Sequence, residues 1–318
     1  MKTFTVFKFG THVIFIYLVL SVLCPNHALG IRLTGIQHLF DIQNNFQQPS
    51  DVSVSKDGLI YVVDGVNNKI QTFDHMGRFL FSFGGKGSSR GNFQFPLGID
   101  VDTHGRVYVA DSGNHRVQIF NSTGGFLSEI SIPSHNEINA DPTDVAVDEM
   151  GNRMYVVDND NHYVLVYDLS SHVLIETLGM PGTEKREFRY PFLMTLDKSN
   201  YLYIVDVVNT RVQVLSADGK FVSFIGGWGV EKGEFFRPKG VAVAGRDRVY
   251  VSDSYMGVIQ TFKLNGEFHS VLGDAAEKKL KKFKTPTGIF VDNNNRLYVV
   301  EMFAERVSVF AIGKDIEE

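Results

Sequence analysis

The sequence predicts an all-β protein: a six-bladed β-propeller with four antiparallel strands per blade, its last blade closed by an N-terminal strand. Three observations carry this. A proline recurs at Pro49, Pro96, Pro142, Pro191, Pro238 and Pro286, at spacings of 47, 46, 49, 47 and 48 residues. An acid follows each proline by 15 or 16 residues, as Asp64, Asp111, Asp158, Asp206, Asp253 and Glu301. Between these marks, runs with apolar residues at alternate positions are separated by Gly, Asn and Asp, the pattern of an antiparallel meander. A fixed period of this length means stacked units, none of which buries its apolar faces alone.

The second repeat sets the pattern, reading FPLGIDVDTHGRVYVADSGNHRVQIF from Phe95 to Phe120. Pro96 opens a run with Ile99 and Val101 on one face, because side chains alternate along a strand. His104-Gly105 is a turn signal. Val107 to Ala110 form a second strand ending in Asp111, a polar Ser112-Gly113-Asn114 corner follows, and Val117 to Phe120 form the third. Each repeat then ends in a fourth apolar run, such as Phe79 to Phe83 or Phe221 to Ile225. Four short strands repeated radially describe propeller blades. The sixth repeat breaks the rule, since only Ala311 to Lys314 and an acidic tail follow Phe310. Ile36 to Ile42, ahead of the first proline, occupies the place of the missing strand. It is expected to pair onto the last blade and so remove an exposed edge.

The first thirty residues stand apart. Lys2 and Lys8 are their only Lys or Arg, Val13 to Leu23 is an apolar run of eleven residues, and Ala28-Leu29-Gly30 offers the small residues of a cleavage site. This reads as a secretory signal peptide over 1–30, too short to span a bilayer, with no membrane span left after cleavage. Residues 31–318 are then the propeller, 48 per blade. Cleavage removes Cys24, the only cysteine, so burial and ring closure must hold the fold. A secreted or periplasmic monomer is expected. Its 29 basic and 36 acidic residues argue against a general polyanion binder, and no nucleic-acid partner is expected.

The recurring order is proline, G-I/V-x-V, Y-V-x-D, a polar corner, R-V-x-x-F and G-x-F. In this order the chain resembles the NHL repeat family, most closely in the second repeat, then the fourth (Tyr190 to Leu215) and the first (Phe46 to Phe73). The third repeat carries Tyr163 and the fifth Val258 in place of the usual basic residue, and the sixth has Glu301 for Asp. The single Trp228 precedes Gly229, so the chain lacks the Trp-Asp pair that marks a tryptophan-aspartate propeller. The resemblance implies a six-bladed propeller and leaves function open, since propellers host many activities.

Repetition also sorts the polar residues. Asp64, Asp111, Asp206 and Glu301 are each followed five residues later by Lys69, Arg116, Arg211 and Arg306. Across a tight corner such acids cap loop N–H groups and meet the base, so these pairs read as scaffold. In the third repeat Asp158 precedes Asn159, Asp160, Asn161, His162 and Tyr163; in the fifth, Asp253 precedes Ser254, Tyr255 and Met256. These corners fall on the face where loops entering each proline gather. His115, His162, Tyr163 and Tyr255, with Arg116, Arg211 and Arg306 at the same corners, are the candidate ligand-binding residues there.

Metal and enzyme signatures are sparse. The peptidyl-hydroxyglycine lyase of peptide amidation resembles this chain in fold, and that resemblance implies zinc-binding histidines directly after the prolines. Those positions hold Ser50, Leu97, Thr143, Phe192, Lys239 and Thr287 instead. Asp51, Asp100 and Asp144, early in first strands, are the candidate oxygen ligands for Ca²⁺; no other cofactor is expected. Gly84-Gly85-Lys86-Gly87-Ser88 lacks the residue order of a phosphate loop, and no nucleophile elbow occurs. Asn121-Ser122-Thr123 matches a glycosylation acceptor by pattern. The sequence therefore reads as an exported non-catalytic module that binds a protein, peptide or other extracytoplasmic ligand through one loop face. A metal-dependent propeller enzyme of the lyase or lactonase kind and an RNA-binding NHL propeller are the alternatives.

Overall fold

The computed structural model describes residues 31–244 and 248–316; the segment read as a signal peptide lies outside them. Four separate sheets of four antiparallel strands account for the first four repeats. Pro49–Val54, Ile60–Asp64, Lys69–Phe73 and Phe79–Gly84 form the first; Pro96–Val101, Val107–Asp111, Arg116–Phe120 and Phe126–Ser131 form the second. Pro142–Asp148, Arg153–Asp158, Tyr163–Asp168 and Leu174–Leu178 form the third; Pro191–Leu196, Leu202–Asp206, Arg211–Leu215 and Phe221–Ile225 form the fourth. No helix among the described residues is long and apolar enough to cross a membrane.

The sequence period becomes register. In every repeat the opening proline lies opposite the acid that ends the second strand, from Pro49 against Asp64 to Pro286 against Glu301. Proline donates no hydrogen bond, so it sits where the ladder begins. Among the described residues, six buried apolar clusters are each shared by two neighbouring repeats. Tyr61 and Val63 meet Ile99 and Val107 between the first and second repeats, and Tyr298 and Val300 meet Val52 and Ile60 between the sixth and first. The innermost strands touch in the same closed cycle. Each repeat thus lends one apolar face to each neighbour, as radially stacked blades must.

The closure departs from expectation. Instead of a fifth and a sixth separate sheet, the last two repeats share one nine-stranded sheet. Its order is Pro238–Ala244, Arg248–Asp253, Val258–Phe262, Phe268–Asp274, Leu33–Ile42, Arg306–Ile316, Arg296–Glu301 and Pro286–Val291, with Lys279–Leu280 on Phe268–Asp274. The N-terminal strand pairs antiparallel to Val307–Ile316, as the missing fourth strand should, and its first residues also run parallel to Val271–Asp274. The ladder to the last strand carries two register shifts, at Thr34/Ile36 and His38/Phe40, and the other edge of residues 33–36 takes the fifth repeat. The last strand runs on to Ile316 rather than stopping at Phe310, so the supposed tail is paired. Pairing satisfies backbone groups that a free edge of the fifth repeat would expose. Ile36 enters the cluster between the fifth and sixth repeats, Ile42 the one between the sixth and first. Each buried isoleucine contributes about 2 kcal/mol.

Candidate functional site

The loop face is the end of the strands where the chain enters each proline. A single motif organises it six times: the acid of each repeat accepts the backbone N–H of the residue 17 positions earlier. Gln47 donates to Asp64 at 2.8 Å, Gln94 to Asp111 at 2.7 Å, Asp141 to Asp158 at 3.0 Å, Arg189 to Asp206 at 2.8 Å, Phe236 to Asp253 at 2.6 Å and Lys284 to Glu301 at 2.6 Å. The entry loop is thereby clamped to the corner between second and third strands.

The predicted arginines complete that clamp and have little left for a ligand. Arg116 donates to Asp111 and Glu129, each at 2.8 Å, and to the carbonyls of Ser89 and Asn92. Arg211 donates to Asp206 and to the carbonyls of Thr183, Glu184 and Glu187, while its guanidinium lies 4.1 Å from the Phe224 ring centroid. Arg306 joins Glu301 to Asp41 of the N-terminal strand, so it fastens the closure. These three are scaffold, as the acid–base spacing predicts.

The third corner is built differently. His115 packs its Nδ1 on the Ala140 carbonyl oxygen, and Ser112 donates to Asp141. His162 accepts the Tyr190 N–H at 3.0 Å through Nδ1 and meets that ring edge-on, with centroids 4.6 Å apart. Tyr163 meets His135 edge-on at 5.1 Å. The structure therefore brings His115, His162 and Tyr163 to one corner, together with His135, Asp141 and Tyr190, which the repeat pattern does not single out. Tyr255 stands apart at the fifth corner, 66% exposed and stacked on Phe236 at 4.2 Å.

Exposed apolar side chains recur around this face. Phe95, Tyr190 and Phe236 lie on the entry loops, and Val66, Val208, Tyr255 and Phe303 on the corners. Phe95 and Tyr190 directly precede prolines and hold left-handed backbones, with φ of 50° and 55°. Bulky residues avoid that region, and a following proline favours extended backbone, so both are strained. Each is held there by an acceptor from the preceding repeat, the Asn68 Oδ1 for the Phe95 N–H and the His162 Nδ1 for the Tyr190 N–H. Gln48 and Thr285 hold the same backbone before Pro49 and Pro286, so the conformation belongs to the repeat.

The candidate calcium ligands line a cavity of about 410 Å³ that opens at the opposite end of the strands, among the turns of Asp102, Glu149 and Asp197. Asp51 accepts the Ile99 N–H, Asp100 the Val147 N–H and Asp144 the Met194 N–H, so each carboxylate stitches its strand to the next repeat. A Cβ added at Gly98 would collide with Asp144 Oδ1, and one at Gly288 with Asp51 Oδ1. Glycine is what permits this approach. Burial raises the Asp51 carboxyl to about 7, with the Asp100 charge adding to it. Burial and the Asp51 charge raise Asp144 well above the usual carboxylate range. The three do not bring one oxygen each within 4.8 Å of one another. Among the described residues that grouping belongs to Asp102, His104 and Glu149. Asp102 is occupied there by the Arg106 guanidinium and by the backbone N–H groups of His104 and Arg106. Asp292 serves its own turn in the same way, which marks the role as structural. The positions after the prolines also stitch: Ser50 donates to the Leu97 carbonyl, Thr143 to the Phe192 carbonyl, and Lys239 lies over the Phe192 ring.

Comparison with known proteins bears on the fold. The chain is similar to a virginiamycin B lyase from Staphylococcus aureus at 13% identity and a TM-score of 0.62, covering 87% of this chain and 99% of that one. It is also similar to a structural-genomics protein of unknown function from Bacteroides thetaiotaomicron at 16% identity and a TM-score of 0.64, covering 89% and 73%. Hydrazine synthase of Kuenenia stuttgartiensis is similar at 11% identity and a TM-score of 0.59, covering 84% and 96%. At such identities the likeness is one of fold. No curated protein matches the chain. The NHL repeat model matches residues 46–73 and 93–120, the first and second repeats from entry loop to third strand. With four-stranded blades and those two matches together, the chain is a β-propeller that carries NHL repeats.

Proposed function

We propose that this propeller is an exported, non-catalytic binding module that takes a protein or peptide on its loop face. The observation that carries the proposal is the set of exposed aromatics on the entry loops and corners, Phe95, Tyr190, Phe236 and Tyr255. Clamped entry loops supply a pre-organised surface, so affinity need not be spent on ordering it. The nine-stranded sheet is read as a fifth and a sixth blade joined by the N-terminal strand, six in all; the six shared apolar clusters support that count. Export is supported by the apolar run Val13 to Leu23. Selection of a random-peptide library displayed on phage against the purified protein tests the face. Peptides so selected should lose at least tenfold in affinity with Tyr190→Ala or Tyr255→Ala and bind Lys198→Ala, at the opposite cavity, unchanged. Loss only with the cavity variant would refute the proposal.

A metal-dependent enzyme is the second reading, favoured by the cavity and the Asp102–His104–Glu149 grouping at its mouth. A stoichiometric metal in the purified protein, lost with His104→Ala, would favour it.

A further inference from the structure

The residues directly after the opening prolines form an internal comparison in which one is out of balance. They are Ser50, Leu97, Thr143, Phe192, Lys239 and Thr287, each standing where an innermost strand meets the loop face. Ser50 donates to the Leu97 carbonyl at 2.6 Å and Thr143 to the Phe192 carbonyl at 2.8 Å. Lys239 alone carries a charge. Its ammonium lies 4.1 Å from the Phe192 ring centroid, and among the described residues it has neither a carboxylate in ion-pair reach nor a hydrogen-bond acceptor. The neighbouring cation has none either: Arg237 donates its backbone N–H to Asp253, but its exposed guanidinium is unpaired. The acids at hand are occupied. Asp253 accepts four backbone N–H groups, from Phe236, Arg237, Tyr255 and Met256, and Glu234 accepts the Glu231 N–H.

Half-buried charges are ordinarily paired, and an aromatic face offsets only part of the lost hydration. Elsewhere on this face Arg116, Arg211 and Arg306 each hold the carboxylate of their own repeat. At Lys239, burial and then the charge of Arg237 instead pull the ammonium down to about 8. A second observation is independent of this pair of cations. Lys239 belongs to the fifth repeat and packs on Phe192 of the fourth, so it bridges the two repeats that expose Tyr190 on one side and the stacked rings of Phe236 and Tyr255 on the other. A third is the sixth entry loop, with five lysines and one acid between residues 275 and 285. That loop is fixed over the fifth corner. Lys282 Nζ donates to the Met256 carbonyl at 2.8 Å, the Phe283 N–H to the Gly257 carbonyl at 2.9 Å, and the Phe283 ring is buried between the fifth and sixth repeats. The unpaired cations therefore sit in a positive field and beside exposed aromatic surface.

We propose that Lys239 and Arg237 receive an aspartate or glutamate side chain of a bound peptide, whose neighbouring residues pack on Tyr190 and on the Phe236–Tyr255 pair. The proposal rests on the loop-face reading and adds the chemistry of the ligand. Charge complementarity selects this occupant, since a basic segment would meet repulsion and a purely apolar one would leave the Lys239 ammonium unpaired. An extended polyanion would leave this patch and meet a chain in which acids outnumber bases.

The test uses the phage-selected peptides. They should be enriched in Asp or Glu beside apolar residues. Replacing that acid by its amide should cost about tenfold or more in affinity, and so should Lys239→Met, which keeps an unbranched side chain and removes its charge. Loss of an unpaired, half-buried charge should leave the melting temperature unchanged or higher, whereas loss of a merely structural lysine would lower it. Raising the ionic strength from about 50 to about 500 mM should weaken the parent complex more than the Lys239→Met complex. Peptides that require Tyr190 or Tyr255 and yet bind Lys239→Met unchanged, or tolerate the loss of their own acid, would overturn this inference and leave the loop-face reading standing. A single-stranded oligoribonucleotide that binds more tightly than every selected peptide, and loses that binding with Lys239→Met, would assign the cations to a nucleic acid and overturn it too. Peptides indifferent to Tyr190 and Tyr255 would remove both readings. Should Lys239→Met fail to fold, the exchange of acid for amide in the peptide, which leaves the protein untouched, still decides.

Discussion

Replacing Asp51 by Asn should stabilise this propeller in alkaline solution and matter little in acid. Asp51 is 7% exposed at the cavity wall, one oxygen accepting the Ile99 N–H at 3.2 Å, with Asp100 and Asp144 as charged neighbours. Its carboxyl is raised from 3.8 to about 7, first by burial. A carboxyl whose folded value lies above its unfolded one stabilises the fold fully below about pH 4, and that stability is lost as the pH rises through 7. For an isolated group, a rise of that size corresponds to about 4 kcal/mol. Neighbouring carboxyls share the penalty, so about 2–4 kcal/mol is expected from this one site. Asparagine keeps a carbonyl for the Ile99 N–H and carries no charge. Urea unfolding should therefore show Asp51→Asn gaining on the parent between pH 5 and 7.5 by up to about 1.4 kcal/mol per pH unit, the parent having the steeper profile. Below their ordinary range His172 and His269 oppose the trend, being held neutral by burial, but both proteins contain them and the difference cancels. Identical slopes in the two proteins, or stability rising with pH across that window in the parent, would refute the reasoning.

Three further outcomes follow from the packing. Gly98→Ala places a methyl against the backbone of Thr143 and Asp144 and should cost about 3 kcal/mol by overpacking, read as a lower urea midpoint. Arg116→Ala leaves Asp111 buried without its base and should cost about 3–5 kcal/mol, whereas exposed Leu127→Ala should stay within about 0.5 kcal/mol by the same assay. Ile42→Ala on the N-terminal strand should cost about 3 kcal/mol although it lies outside every repeat; a cost below about 1 kcal/mol would mean that strand does not hold the closure.

The repeats were legible because strand, turn and corner chemistry agree locally. Val107 to Asp111 and Arg116 to Phe120 fall where the apolar alternation and the Ser112-Gly113-Asn114 corner put them. The closing strand was legible by position alone. Its second partnership was not: Lys314 and Asp315 look like a solvent tail, and only the fold shows Asp315 bonded to Thr34 and His269. Asp51, Asp100 and Asp144 looked like oxygen ligands because their partners, backbone N–H groups one repeat away, leave no mark in a sequence. At the candidate site, the missing base at Tyr163 was visible from repetition. The left-handed backbone before Pro49, Pro96, Pro191 and Pro286 was not, since local propensity argues against it.

Hydrogen–deuterium exchange with and without a phage-selected peptide asks most directly which end of the wheel binds. Slowed exchange is predicted at residues 134–141, 159–163, 189–190 and 254–256, with the turns at 102–104, 149–151 and 197–200 unchanged. Protection confined to those turns would place the ligand at the acid-lined cavity and contradict the account.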